Sequence, residues 1–217
     1  MRDAHSHRIS DRIVSISQPH VRPILRGKAK KKIEFGAKLG VSLINGYAFV
    51  DTISWDAYNE AQDLIKQVEN FKERFGHYPE AVLADNIYGT KKNRDYLRDK
   101  GILFSGKPLG RPKKETAENK EDLKKEKRRK KQEYRERIPI EGKFGQGKNG
   151  YRLNYIKAKL QSTSESWISS IFFVMNIVKL AAEKINLFSK YAQKLHKLIL
   201  KRLKIQFEGL LPIFKLV

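Results

Sequence analysis

The chain has 217 residues and a formal charge of +22 at pH 7, because 46 Lys and Arg stand against 24 Asp and Glu. This excess favours a polyanionic partner over the small acidic metabolites on which many enzymes act. Hydrophobic residues make up 40% of the chain, which excludes a fully disordered tail and allows one sizeable core. The absence of cysteine excludes disulfide scaffolds, thiolate zinc sites and cysteine nucleophiles, and it fits a reducing compartment.

No segment of the sequence predicts export or membrane insertion. Residues 1–8 are polar and lack the apolar core of a signal peptide. The most apolar stretch, residues 167–182, is too short to span a bilayer and contains Asn176 and Lys179. We therefore expect a cytoplasmic protein with no membrane partner.

The first 32 residues predict a basic, loop-like segment. The residue before a proline avoids helical backbone angles, and Pro19 and Pro23 both lie here. A run of lysines follows at 28 and 30–32, which is either a solvated loop or a phosphate contact. The candidate DNA-binding residues of this segment are Arg22, Arg26 and Lys28.

From Ile33 the pattern changes to an α/β arrangement. Apolar residues alternate over 33–44 and resume over 47–53, and the Asn45-Gly46 pair between them predicts a hairpin turn. A helix over 57–75 should follow, capped by Asp56 or Ser54 and ended by Gly76.

The order of elements then continues as strand, helix, strand. Residues 81–84 predict a short buried strand, parallel to its neighbour, that ends at Asp85. A helix over 91–100 and a strand over 101–106 complete the predicted core, whose strands are joined by helices.

Residues 107–133 are rich in Glu and Lys and cannot bury a core. They predict either a mobile loop or an exposed helix with many salt bridges. Within them, residues 109–113 resemble the short Gly-Arg-Pro hooks that enter the minor groove of A·T-rich DNA.

The remaining chain predicts helices. Residues 167–182 indicate a buried helix, and 183–205 indicate a basic amphipathic helix that packs on the domain or on a partner helix. The predicted organisation is a basic segment over 1–32, a catalytic core over 33–182 and a basic helical tail over 183–217.

Asp85 is the first candidate for chemistry, because the carboxyl end of a strand in an open α/β sheet is where ligands gather. The alternative is that Asp85 only caps a turn or a helix. The functional interpretation therefore needs partner residues elsewhere in the chain.

A run of four polar residues supplies such partners. On an α-helix, offsets of 0, 3, 7 and 14 residues fall within a sector of about 60°, so one face would carry a phenol, a guanidinium, a carboxylate and an ammonium. Pro139 predicts instead a helix that starts near that residue, with the first two members in the approach segment. The four residues are Tyr134, Arg137, Glu141 and Lys148.

These groups suit phosphoryl transfer on DNA. Carboxylates bind Mg²⁺, and two such ions about 4 Å apart clamp the attacking and leaving oxygens. Arg and Lys hold phosphate, with Arg offering a bidentate fork, and Tyr can hydrogen-bond phosphate or stack on a base.

The spacing Tyr134-x2-Arg137-x3-Glu141-x6-Lys148 resembles the Y-(2)-R-(3)-E-(6)-K signature of bacterial insertion-sequence transposases of the DDE type. The resemblance covers roughly residues 10–182 and includes the surroundings of Asp85. It implies an RNase H-like fold, an Asp-Asp-Glu triad with Mg²⁺ (or Mn²⁺), and DNA strand cleavage and transfer. It assigns the second Asp to Asp85, the Glu to Glu141, and contacts with the transposon ends to the other three signature residues.

The sequence also departs from the family pattern at the first Asp. In the family the first Asp lies on a strand before the hairpin, whereas Asp3 and Asp11 do not end an apolar strand here. Asp51 and Asp56 are the other candidates for that role. We therefore expect an RNase H-like domain that lacks its first strand and that is truncated and inactive alone. We also expect the protein to be nucleoid-associated and able to form a homo-oligomer. The alternative is a non-catalytic nucleic-acid-binding remnant of a transposase.

Overall fold

The computed structural model describes residues 12–25, 33–108, 110, 116 and 119–210. The chain divides into two compact units, Met1–Phe173 and Val174–Val217. The first unit is a mixed α/β arrangement, which confirms the predicted class. Within the described residues, the strands of this unit form three separate two-stranded sheets.

The first sheet was not expected from the sequence. Strand β1 (Pro23–Leu25) pairs antiparallel with β2 (Ile33–Phe35), although 1–32 predicts a loop. Gly36, with a φ of 136°, separates β2 from the next strand, because only glycine adopts this backbone freely. The single strand predicted over 33–44 is therefore two strands.

The predicted hairpin is confirmed. Strand β3 (Lys38–Ile44) pairs with β4 (Tyr47–Ser54) across the Asn45-Gly46 turn. Both turn residues have positive φ, 51° and 80°, as a type I′ turn requires.

Helix α1 (Asp63–Phe75) packs against this hairpin. A short 3₁₀ helix, Glu60–Gln62, precedes it, and the cap is Asn59 rather than the predicted Asp56 or Ser54. Gly76 ends α1 in the left-handed conformation, as predicted. A core cluster joins α1 to the elements that follow, through Leu64, Val68, Leu97 and Ile102.

The third sheet is the predicted parallel pair. Strands β5 (Ala81–Val82) and β6 (Leu103–Phe104) are connected by helix α2 (Lys91–Asp99), whose first turn is capped by Thr90. Both strands are shorter than predicted, and Val82 is only partly buried.

Helix α3 (Lys120–Gly150) runs through Pro139 without a break, so the prediction of a helix start near Pro139 is wrong. Packing stabilises its second half: Gly147 is buried and the Phe144 ring lies edge-on to Phe172 at 6.0 Å. Over residues 120–133 it is an exposed helix with salt bridges, which for this part is the second of the two states predicted for 107–133.

Helix α4 (Gln161–Leu210) contains both predicted C-terminal helices in one element. Its first turns belong to the first unit, where Trp55 donates a hydrogen bond to Glu165 at 2.9 Å. None of the helices in the described part of the chain has the length and apolarity needed to cross a membrane.

Candidate nucleic-acid and catalytic site

Asp85 lies three residues after the end of β5, rather than directly after a strand as the sequence predicts. Its Oδ1 accepts a hydrogen bond of 2.7 Å from the Asn86 amide, which caps the 3₁₀ helix Asn86–Tyr88. The side chain is exposed. Asp85 is therefore a helix cap in this structure, with a carboxylate that is accessible to solvent.

The 3₁₀ helix that follows Asp85 brings a phenol close to three carboxylates. Burial raises the pKa of Tyr88 to about 12, and the negative charges of Glu60, Asp63 and Asp85 add to that rise. Asp63 is 8% exposed and accepts a hydrogen bond from the Tyr58 hydroxyl. The region around Tyr88 is thus a local negative field in a basic protein.

Sequence reasoning did not single out Glu60 or Asp63. They precede and begin α1, where acidic residues are common because they interact favourably with the helix dipole. Their proximity to Tyr88 depends on the packing of the two 3₁₀ segments, which no local pattern encodes. Lys38 partly offsets the charge, since its Nζ lies 3.3 Å from Glu60.

The signature residues lie on one helix, as the 60° sector requires. Arg137 is the centre of the group: its guanidinium lies 3.4 Å from a Glu141 oxygen and 5.5 Å from the centroid of the Tyr134 ring. Tyr134 is 60% exposed and Glu141 and Lys148 are exposed. This arrangement presents the Lys148 ammonium, an aromatic ring and one carboxylate to solvent, whereas the Arg137 side chain is only 21% exposed.

The N-terminal candidates are only partly described. Arg22 donates hydrogen bonds to the carbonyls of Pro19 and Val21 and lines a small cavity of about 230 Å³ beside His20 and Trp55. Burial lowers the pKa of His20. The other candidates of this segment, Arg26 and Lys28, lie outside the described residues, as do Asp3, Asp11 and most of the 109–113 hook motif.

The described residues do not gather the carboxylates that a divalent cation needs. Asp85 and Glu141 have the right ligand chemistry for Mg²⁺. However, one caps a 3₁₀ helix and the other pairs with Arg137, and no group of three His, Cys, Asp or Glu placed to hold a metal ion occurs in the described part. The fit to a metal centre is therefore incomplete.

Asp51 does not complete such a group either. Its side chain is fully buried and bonds to Arg74 at 2.7 Å, Ser42 at 2.5 Å and Asn70 at 3.1 Å. These contacts give Asp51 a structural role at the junction of the hairpin and α1.

The family model described as "Transposase DDE domain" matches residues 82–178, just under half of the chain. The match begins in β5 and contains Asp85 and all four signature residues. Neither the curated proteins nor the solved structures give a match to this chain.

Proposed function

We propose that this chain, whose residues 82–178 belong to the DDE-type transposases, binds DNA and carries part of the site for strand cleavage and transfer in transposition. The observation that carries the proposal is the signature face of α3, together with Asp85 inside the matched range. The match does not favour the alternative of a non-catalytic nucleic-acid-binding remnant.

The charge of α3 supports DNA binding. The helix contains twelve Lys and Arg against six Asp and Glu, and three of those acids are paired with cations one turn away. The net positive charge over about 45 Å of helix is suited to the phosphate backbone of a duplex. Arg137 and Lys148 are the proposed contacts with the transposon ends, and the exposed Tyr134 ring is positioned to stack on a base or bond to a phosphate.

The order of elements supports an RNase H-like fold. An antiparallel hairpin, a helix, and two parallel strands joined by a helix follow one another in the first unit. In the described residues no strand pairs with both β3 and β5, so the strand that carries the first Asp in the family has no counterpart there. We propose that Asp85 and Glu141 supply two of the three carboxylates and that Mg²⁺ or Mn²⁺ binds only when a third is present.

The DNA-binding part is tested with Arg137→Ala combined with Lys148→Ala, measured against duplex DNA from the ends of the encoding element. We expect weaker binding and a slope of log K against log salt that is reduced by about 2, one for each lost phosphate contact. The control is Lys91→Ala with Lys92→Ala, which removes the same charge from α2. Equal losses of DNA affinity in the two double variants would show that binding depends only on net charge. This result would contradict the proposed interface.

The catalytic part is tested by strand nicking and transfer with Mg²⁺ or Mn²⁺, on the chain and on a version extended upstream in frame. We expect activity in the extended chain that is lost in Asp85→Asn and in Glu141→Gln, while DNA binding persists. An extended chain whose activity survives both substitutions would refute the assignment of these carboxylates.

A further inference from the structure

The second unit carries a heptad pattern that the function of the first unit does not use. From Val174 to Ile199, apolar residues recur at alternating spacings of four and three. In heptad notation Val174 is a d position and Val178 an a position, and none of the eight successive a and d positions is polar. The seam consists of Val174, Val178, Ala181, Ile185, Phe188, Ala192, Leu195 and Ile199.

This seam is exposed. Phe188 is 75% exposed, Ile185 67% and Leu195 60%, although each is large and apolar. Such side chains are seldom left in contiguous exposed rows unless another surface covers them.

Most polar residues occupy the opposite side of the helix, although Leu180 and Leu187 lie at c positions. Every b and f position from Asn176 to Lys197 is polar, and five of the six lysines between 179 and 201 lie at b, c or f. The sixth, Lys184, lies at a g position beside the seam. The lysines are thus directed away from a helix that packs on the seam. Their charged groups stay in water, where salt screens the repulsion between them.

The period distinguishes a partner helix from a flat surface. A straight α-helix drifts by about 20° per heptad from a strict seven-residue repeat, so a repeat kept over nearly four heptads matches a second helix wound around the first. A flat membrane surface has no such requirement. We infer that residues 181–199 of this seam form an antiparallel two-stranded coiled coil with a second copy of this chain.

Side-chain volume determines the orientation. In a parallel pair each layer repeats one residue, so Phe188 would meet Phe188 and Ala192 would meet Ala192, which overfills one layer and leaves a void in the other. An antiparallel pair centred near residue 190 places Phe188 opposite Ala192, Ile185 opposite Leu195 and Ala181 opposite Ile199. Each of these layers combines residues whose volumes complement each other.

The absence of cysteine makes the orientation testable by single-cysteine crosslinking. Centring at 190 brings Ser189 next to its own copy, so Ser189→Cys should form a disulfide-linked dimer on oxidation. The two copies of residue 195 would be offset by about 15 Å along the axis, so Leu195→Cys should not crosslink. Crosslinking through residue 195 but not 189 would overturn the antiparallel arrangement.

Self-association is measured on the full chain by sedimentation. We expect a dimer in the unmodified chain and a monomer when Ile185→Asp and Leu195→Asp are combined. The matched control, Asn186→Asp with Gln193→Asp, makes the same charge change at b positions and should remain dimeric. Circular dichroism establishes that both double variants keep their helix. A chain that is monomeric at every concentration would overturn the inference.

A membrane is the other surface on which such a helix could pack. The dependence on salt concentration distinguishes a dimer from membrane binding. Raising the salt concentration screens the lysines and should strengthen the dimer, whereas it should weaken binding to vesicles that contain anionic phospholipid. A monomer that binds these vesicles through Ile185 and Leu195 would also overturn the inference. The readouts involve no DNA, so their outcome is independent of the outcome for strand transfer.

Discussion

Replacing Asp51 tests whether this buried carboxylate is structural. In Asp51→Ala the Arg74 guanidinium loses a partner at 2.7 Å, and Ser42 and Asn70 lose their acceptor. Removing one partner of a buried ion pair costs about 3–5 kcal/mol. Because the Arg74 side chain is 29% exposed and can turn toward water, we expect the lower end of that range, about 3 kcal/mol.

The assay is urea denaturation followed by circular dichroism. With a typical slope of about 2 kcal/mol per molar urea, the midpoint should fall by about 1.5 M with the slope unchanged. The control is Asp56→Ala, which removes an exposed carboxylate nearby and should change the free energy of unfolding by less than about 0.5 kcal/mol. A loss below about 1 kcal/mol in Asp51→Ala would refute the structural role. In the upstream-extended chain, loss of strand transfer without loss of stability would instead place Asp51 in the reaction.

Two further predictions concern pH and the helix that carries the signature. The pKa of Tyr88 is raised to about 12, so its stabilising contribution is complete below the ordinary value of 10.0 and is lost as pH rises through 12. The pKa values of Tyr58 and Tyr96 are raised as well, so Tyr88→Phe should reduce, rather than abolish, the alkaline loss in a series of denaturation curves. An unchanged series would contradict the burial of the phenol. Pro139→Ala restores a helical N–H inside α3 and should raise the local stability by up to about 3 kcal/mol. Slower amide hydrogen exchange around residue 139 is the expected signal, and faster exchange there would contradict the continuity of the helix.

The candidate site was predictable to the extent that it lies on one element. The offsets among Tyr134, Arg137, Glu141 and Lys148 fix their common face once α3 is a helix. The prediction of a helix start near Pro139 was wrong. Proline destabilises a helix interior, and the packing of Phe144 and its surroundings outweighs this cost in free energy.

Charged groups that come together from separate elements could not be predicted from the sequence pattern. Glu60 and Asp63 approach Tyr88 because two 3₁₀ segments pack together, and the separation along the chain gives no sign of this. Asp51 and Asp85 look alike as acids near strands, yet one is a buried ion-pair partner and the other an exposed cap.

The sequence by itself determined the features that depend on nearby residues: the Asn45-Gly46 hairpin, the end of α1 at Gly76 and the seven-residue repeat after Val174. Backbone conformation at positive φ and the period of a helix act over a few residues, so a local pattern is sufficient. Tertiary structure alone decided the pairing of β1 with β2 and the distribution of charge around Tyr88. These depend on contacts between distant parts of the chain, whose free energy is set by burial and by which groups lose water together.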